Sequence, residues 1–232
     1  MRRPALAFLA GLSLLPAPAA AQDPAYRQFL ARTDAAAPPP ALAALQPLAL
    51  DTLQGNARAE SRCVPTGIAL ERLESATAVR VITQSVRAGQ IKNGWTFYGR
   101  AAGCPEPFLG HFMAARMADD SLRVFLVNEG ETLANPSLMR DMGHLAALAA
   151  ATVARRANPA CDGADLSMGA TRIVDRSRLG AYSHGAYFSG SWREAWTFRV
   201  CGRRVEVPVA FTADAQGGAD YSVEGTAARI LD

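Results

Sequence analysis

Lysine and histidine are almost missing from this 232-residue chain: Lys92 is the one lysine, and His111, His144 and His184 are the only histidines. The stretch AYSHGA (Ala181–Ala186) has the outline of a nucleophile elbow around Ser183, with Ala181 in place of the first glycine. An α/β-hydrolase needs its triad in the order Ser, acid, His, and no histidine follows His184, so that chemistry is not expected. No Asp, Glu or Cys stands at ligand spacing beside His111 or His144, and no C-x-x-C pair occurs, so neither a metal site nor a cofactor is expected. A basic run that would neutralise nucleic-acid phosphates is also missing. Arg155-Arg156 suits the C-terminal end of a helix and Arg203-Arg204 a turn between strands. The preference for arginine and alanine reflects the coding bias of a genome and carries no function.

No apolar run reaches the roughly 20 residues a bilayer requires. The longest N-terminal one, Ala5–Leu15, follows Met1-Arg2-Arg3 and precedes Pro16, Pro18 and Ala19-Ala20-Ala21. That order reads as a secretory signal peptide, residues 1–21, cut after Ala21. No cysteine lies near the cut for lipidation, and Arg2-Arg3 lacks twin-arginine surroundings. The chain is therefore expected to be exported, periplasmic or secreted, with no membrane span after cleavage. Removing residues 1–21 leaves 22 basic against 21 acidic side chains, which predicts no large field and no nucleic-acid partner.

Four cysteines are present, Cys63, Cys104, Cys161 and Cys201, an even set that predicts two disulfides in an exported chain. Three pairings are possible. An internal repeat favours one of them: Trp-Thr-Phe precedes both Cys104 and Cys201, and VNEGET (Val127–Thr132) is matched by VEGT (Val223–Thr226). Each copy also opens with an Ala/Leu-rich helical segment. Pairing within the copies, Cys63 with Cys104 and Cys161 with Cys201, is expected.

The second copy reads most cleanly. Asn135 caps and Pro136 starts a helix whose apolar face is expected to be Leu138, Met142, Leu145, Ala149 and Val153. TRIVDRS gives a short strand. WREAWTFRV and VEVPVAF alternate strictly, and the turn AQGG leads to a fourth strand at Ala219–Val223. In the first copy, AVRVIT, GWTFYG, LGHFMAAR and LRVFLVN are the expected strands, with Pro47 interrupting the helix. The fold class is α+β: two tandem copies of a helix followed by a four-stranded antiparallel sheet, with two disulfides, packed either as separate domains or as one larger sheet. The expected division is 1–21 signal peptide, 22–40 a short docking segment and Pro-rich linker, 41–133 first copy and 134–232 second copy.

No catalytic motif is found. The expected role is non-catalytic, binding an envelope protein or a small ligand through the cleft between copies and the loop Gly180–Gly190. Within that loop Tyr182, His184, Tyr187 and Phe188 offer an aromatic surface, in a segment expected to be longer than its counterpart in the first copy. Glu194, between Trp192 and Trp196 on a buried face, must find a partner, and an arginine such as Arg172 or Arg203 is expected. A periplasmic hydrolase using Glu194 or His184 is the competing reading, and a structural envelope protein a third.

The stretch from Trp192 to Val223 resembles small exported proteobacterial proteins of undescribed function that share a W-x-E-x-W, C-G, valine-rich strand and G-G signature. The matching residues are Trp192, Glu194, Trp196, Cys201, Gly202, Phe211, Gly217 and Gly218. The resemblance implies an exported compartment and a strand–disulfide–hairpin topology, and no activity. The first copy lacks the glutamate and the Cys-Gly pair.

Overall fold

The computed structural model describes residues 23–106 and 108–231. The expected signal peptide, 1–21, lies outside the described residues. In chain order the elements are α1 (Pro24–Ala36), α2 (Leu42–Ala59), β1 (Gly67–Ser75), α3 (Arg80–Arg87), β2 (Ile91–Ala102), β3 (Phe108–Met117), β4 (Leu122–Gly130) and α4 (Pro136–Ala157). Then come β5 (Ser167–Leu179), the small hairpin β6 (Tyr182–Ser183) and β7 (Ala186–Tyr187), β8 (Gly190–Val200), β9 (Arg203–Ala213), β10 (Ala219–Val223) and β11 (Arg229–Ile230). The protein is α+β, with one mixed sheet of nine strands in the order β1-β2-β3-β4-β5-β8-β9-β10 and β11 beside β9.

Every ladder in that sheet is antiparallel except the central one, where Glu129 and Gly130 of β4 pair with Ala170 and Thr171 of β5 in parallel. Gly130 has φ +83°, and a Cβ there would lie 2.0 Å from the Thr171 carbonyl oxygen, so the close approach of the two strands requires glycine. A parallel junction between two antiparallel meanders turns the second over relative to the first. Their helices therefore fall on opposite faces. Phe97 packs under α2, while its neighbour Tyr98 points to the other face. There Tyr98, His111 and Asn128 are cross-strand partners, and Asn128 reaches Thr171, in register with Trp196 beneath α4.

Two cores result. Leu45, Ala49 and Leu53 of α2 cover Ile68, Trp95, Phe97 and Phe112. Pro47 does not interrupt α2. It lies within the second turn, where the four-residue spacing of buried Leu45, Ala49, Leu53 and Ala57 outweighs one lost hydrogen bond. Under α4, the buried line is Leu138, Met142, Ala146, Ala150 and Ala154, packed on Trp196, Val205, Val207 and Val209. This face is rotated from the expected one: small alanines bring the helix close to the sheet, and Leu145 is left half-exposed. Asn135 caps α4 through Ser137 and Leu138 N–H groups, with Arg155 and Arg156 in its last turn.

AVRVIT is not a strand. The first strand is Gly67–Ser75, and Val79, Ile82 and Val86, at spacings of three and four, put one face of α3 against β2. Ile82 fits there because Gly94 has no Cβ; an added one would meet its Cδ1 at 2.6 Å. The β1–β2 connection is consequently the longer of the pair, and the 180–189 connection the shorter, the reverse of expectation. TRIVDRS lies within the long strand β5. Helix α1 docks through Leu30 onto Ala78, Ala186 and Phe188. Cys63–Cys104 and Cys161–Cys201 are bonded, closing sequence separations of 41 and 40.

Candidate functional site

The aromatic loop is a tight hairpin. His184 and Gly185, with φ of +51° and +83°, form its two-residue turn, the geometry that matches strand twist. It spans the halves: the His184 carbonyl accepts from Ala78 N–H at 3.0 Å, and Ala186 and Phe188 are buried against Leu30 and Ala78. Phe188 is thus a packing residue at 6% exposure, while Tyr182 remains 44% exposed. Tyr187 lies between Tyr182 and Trp192 with its ring tilted to both, at 4.8 and 5.4 Å between centroids. The Tyr182 hydroxyl donates to Glu74 Oε2 at 2.5 Å, and partial burial with that acceptor pushes its pKa up.

At the hairpin tip Ser183 Oγ lies 2.5 Å from His184 Nδ1, and His184 Nε2 lies 3.4 Å from Asp34 Oδ2. The other Asp34 oxygen takes the Ser75 hydroxyl at 2.8 Å, the Thr77 hydroxyl at 2.5 Å and the Asn93 amide at 2.8 Å. A serine, a histidine and an oriented carboxylate therefore meet here, the carboxylate coming from a segment 150 positions upstream of His184 that sequence order did not suggest.

Glu194 is fully buried, and its hydrogen-bond partners among the described residues include no arginine. Its carboxylate accepts five hydrogen bonds: Oε1 from Leu133 N–H at 2.7 Å, Ala134 N–H at 3.0 Å and the Trp192 indole at 3.0 Å; Oε2 from the Thr132 hydroxyl at 2.7 Å and the Trp196 indole at 2.8 Å. The W-x-E-x-W spacing thus puts two indole donors on either side of one carboxylate. Arg172, one of the two arginines expected as its partner, pairs instead with Glu206 at 2.7 Å. Sealed from solvent, Glu194 pins the segment that enters α4. Asn93 holds the corresponding place two residues before Trp95. Also fully buried, it donates to Asp34 Oδ1 and to the Ala37 carbonyl at 3.1 Å, pinning the segment that enters α2.

Between these pins runs a buried polar seam that the sequence did not reveal, because each member sits on a different element. Tyr98 donates to the Thr132 carbonyl at 2.8 Å and stacks on His111 at 4.7 Å; His111 Nδ1 lies 3.1 Å from Asn128 Oδ1. Asn128 donates to Thr171 Oγ1 at 2.6 Å, which donates to the Glu131 carbonyl at 2.9 Å. Burial holds the His111 pKa down at about 4 and pushes that of Tyr98 up to about 12.

A groove of about 820 Å³ has walls from both halves. Tyr26, Gln84 and Arg87 stand on the side of α1 and α3; Asn135, Gln216 and Tyr221 stand on the side of α4 and the β9–β10 turn. Arg87 rests its guanidinium 5.1 Å from the Phe29 ring and has no carboxylate partner among the described residues. The side chains of Gln84, Gln216 and Tyr221 likewise make no hydrogen bond among the described residues. None of the five residues of the expected binding surface lines this groove; Gly217 does, and a Cβ added there would lie 3.4 Å from the Ala186 Cβ of the hairpin. Among the described residues no three His, Cys, Asp or Glu side chains are grouped as metal ligands, and no helix is long and apolar enough to cross a membrane. No family model matches this chain, and no curated protein or solved structure proves significantly similar to it.

Proposed function

We propose that this is an exported, non-catalytic binding protein, built from a duplicated α+β unit, that takes a small polar ligand in the groove between its halves. The groove itself is the observation that carries the reading. It is concave, has walls from both halves, and presents Arg87, Gln84, Gln216 and Tyr221 with hydrogen-bonding capacity unspent, as ligand sites do. Export is supported by the signal-peptide pattern of residues 1–21 and by two disulfides, which persist in oxidising compartments. Duplication is supported by the shared order of a helix and four strands, the nearly equal disulfide separations and the matching places of Asn93 and Glu194.

A thermal-shift screen of polar small molecules against wild type, Arg87→Ala and Tyr221→Ala tests the reading. The expected result is ligands that raise the wild-type melting temperature and leave both variants unmoved; stabilisation equal in all three proteins would refute it. The Ser183, His184 and Asp34 contacts favour a hydrolase as the second reading. Hydrolysis of activated esters that disappears in Ser183→Ala would select it.

A further inference from the structure

The two disulfides match in sequence separation and differ in surroundings. Cys161 is 5% exposed in the core beneath α4. The turn that carries Cys201 is held by Asp165, whose carboxylate accepts from the Cys201 and Gly202 N–H groups at 2.6 and 3.1 Å. Cys63, by contrast, is exposed in the extended stretch between α2 and β1. Cys63 and Cys104 together form part of the wall of a second groove, of about 420 Å³, which also carries Leu53, Phe108, Glu106, the ion-paired Arg62 and Glu129 and, from β8 of the other half, Arg199. Arg199 is exposed and has no carboxylate partner among the described residues.

Thiol–disulfide exchange needs a thiolate to reach a disulfide sulfur and a leaving thiolate that its surroundings tolerate. Access and nearby positive charge supply these; burial withholds them. We propose that Cys63–Cys104 is an exchange site for an extracytoplasmic dithiol protein, while Cys161–Cys201 is the permanent structural bond. In the first step the partner's thiolate attacks Sγ of Cys63, forming a mixed disulfide and releasing Cys104 as a thiolate in the groove lined by Arg199. The partner's second thiol, as its thiolate, then attacks its own sulfur in the mixed disulfide and releases Cys63 as a thiolate. Two electrons pass from the dithiol to the pair, the partner leaves as a disulfide, and both cysteine thiolates take protons from water. The open form loses the covalent wall of this groove and the tie between the end of α2 and the end of β2.

Time courses of reduction of the folded, signal-free protein, at about pH 8 with dithiothreitol or glutathione as probe, test this by alkylation and peptide mass spectrometry. The expected result is an initial alkylation rate for Cys63 and Cys104 at least about tenfold above that for Cys161 and Cys201. Arg199→Glu should slow the reaction severalfold with either reagent, because the departing Cys104 thiolate is the same in both. Because opening one bond can loosen the other, initial rates decide. Equal initial rates, or earlier loss of Cys161–Cys201, would overturn the assignment, and Arg199→Glu rates unchanged with both reagents would remove Arg199 from it.

Discussion

Acidification should weaken this protein through His111 before the carboxylates with depressed pKa values are titrated. The ring is 5% exposed, stacked on Tyr98 and bonded to Asn128, and burial lowers its pKa from 6.5 to about 4. In the unfolded chain the imidazole regains its ordinary value. Between the two values the unfolded chain binds a proton that the folded chain does not, so stability rises with pH across this window and falls as pH drops. A gap of about 2.5 pH units at about 1.4 kcal/mol each amounts to about 3 kcal/mol, of which about 2 kcal/mol should be lost between pH 6.5 and 5. That is a large share of a typical stability of about 5–15 kcal/mol. The carboxylates whose pKa values are depressed, Glu206, Asp165, Asp175 and Asp119, lose their contributions only as pH falls toward and below their ordinary values of 4.5 and 3.8, under this interval. Urea unfolding at steps from about pH 7.5 to 5 on wild type and His111→Gln separates the effect from the variant's own loss of packing. The wild-type free energy should decline and the variant's should stay level; parallel curves would refute the burial argument.

Two further substitutions probe the frame. Glu194→Gln keeps the shape but replaces one accepting oxygen with a donor facing N–H groups, so it should cost about 2–4 kcal/mol in urea unfolding; a loss under about 0.5 kcal/mol would contradict the five-bond clamp. Gly130→Ala brings a methyl group onto the Thr171 carbonyl and should open the β4–β5 ladder, splitting the unfolding transition in two by calorimetry, whereas a single unshifted transition would show that the halves do not depend on this junction.

Local chemistry was legible where one short stretch decides the outcome. Asn135-Pro136 starts α4, AQGG connects β9 to β10, and Ala219–Val223 is the strand expected after that turn. The errors arose where packing overrides local preference. AVRVIT is β-branched but helical because Val79, Ile82 and Val86 share a face that fits over Gly94. The buried face of α4 follows its alanines because the sheet lies close, so the larger Leu145 points outward. Glu194 was recognisable as a buried carboxylate, but its partners Thr132, Leu133 and Ala134 lie about sixty positions away and donate largely through backbone, which leaves no trace in residue type. Asp34 meets His184, and Arg87 faces Tyr221, only once the sheet has joined the halves, so neither the polar cluster nor the groove had a sequence signature.

The central claim is that the groove between the halves is the binding site, and chemical-shift mapping on isotope-labelled protein during titration with the best small-molecule stabilisers tests it most directly. The account predicts perturbations concentrated at residues 80–87, 135–141 and 214–221 and abolished in an Arg87→Ala, Tyr221→Ala double variant. Perturbations centred instead on the 182–188 hairpin or the Cys63–Cys104 groove, and unchanged in that variant, would contradict it.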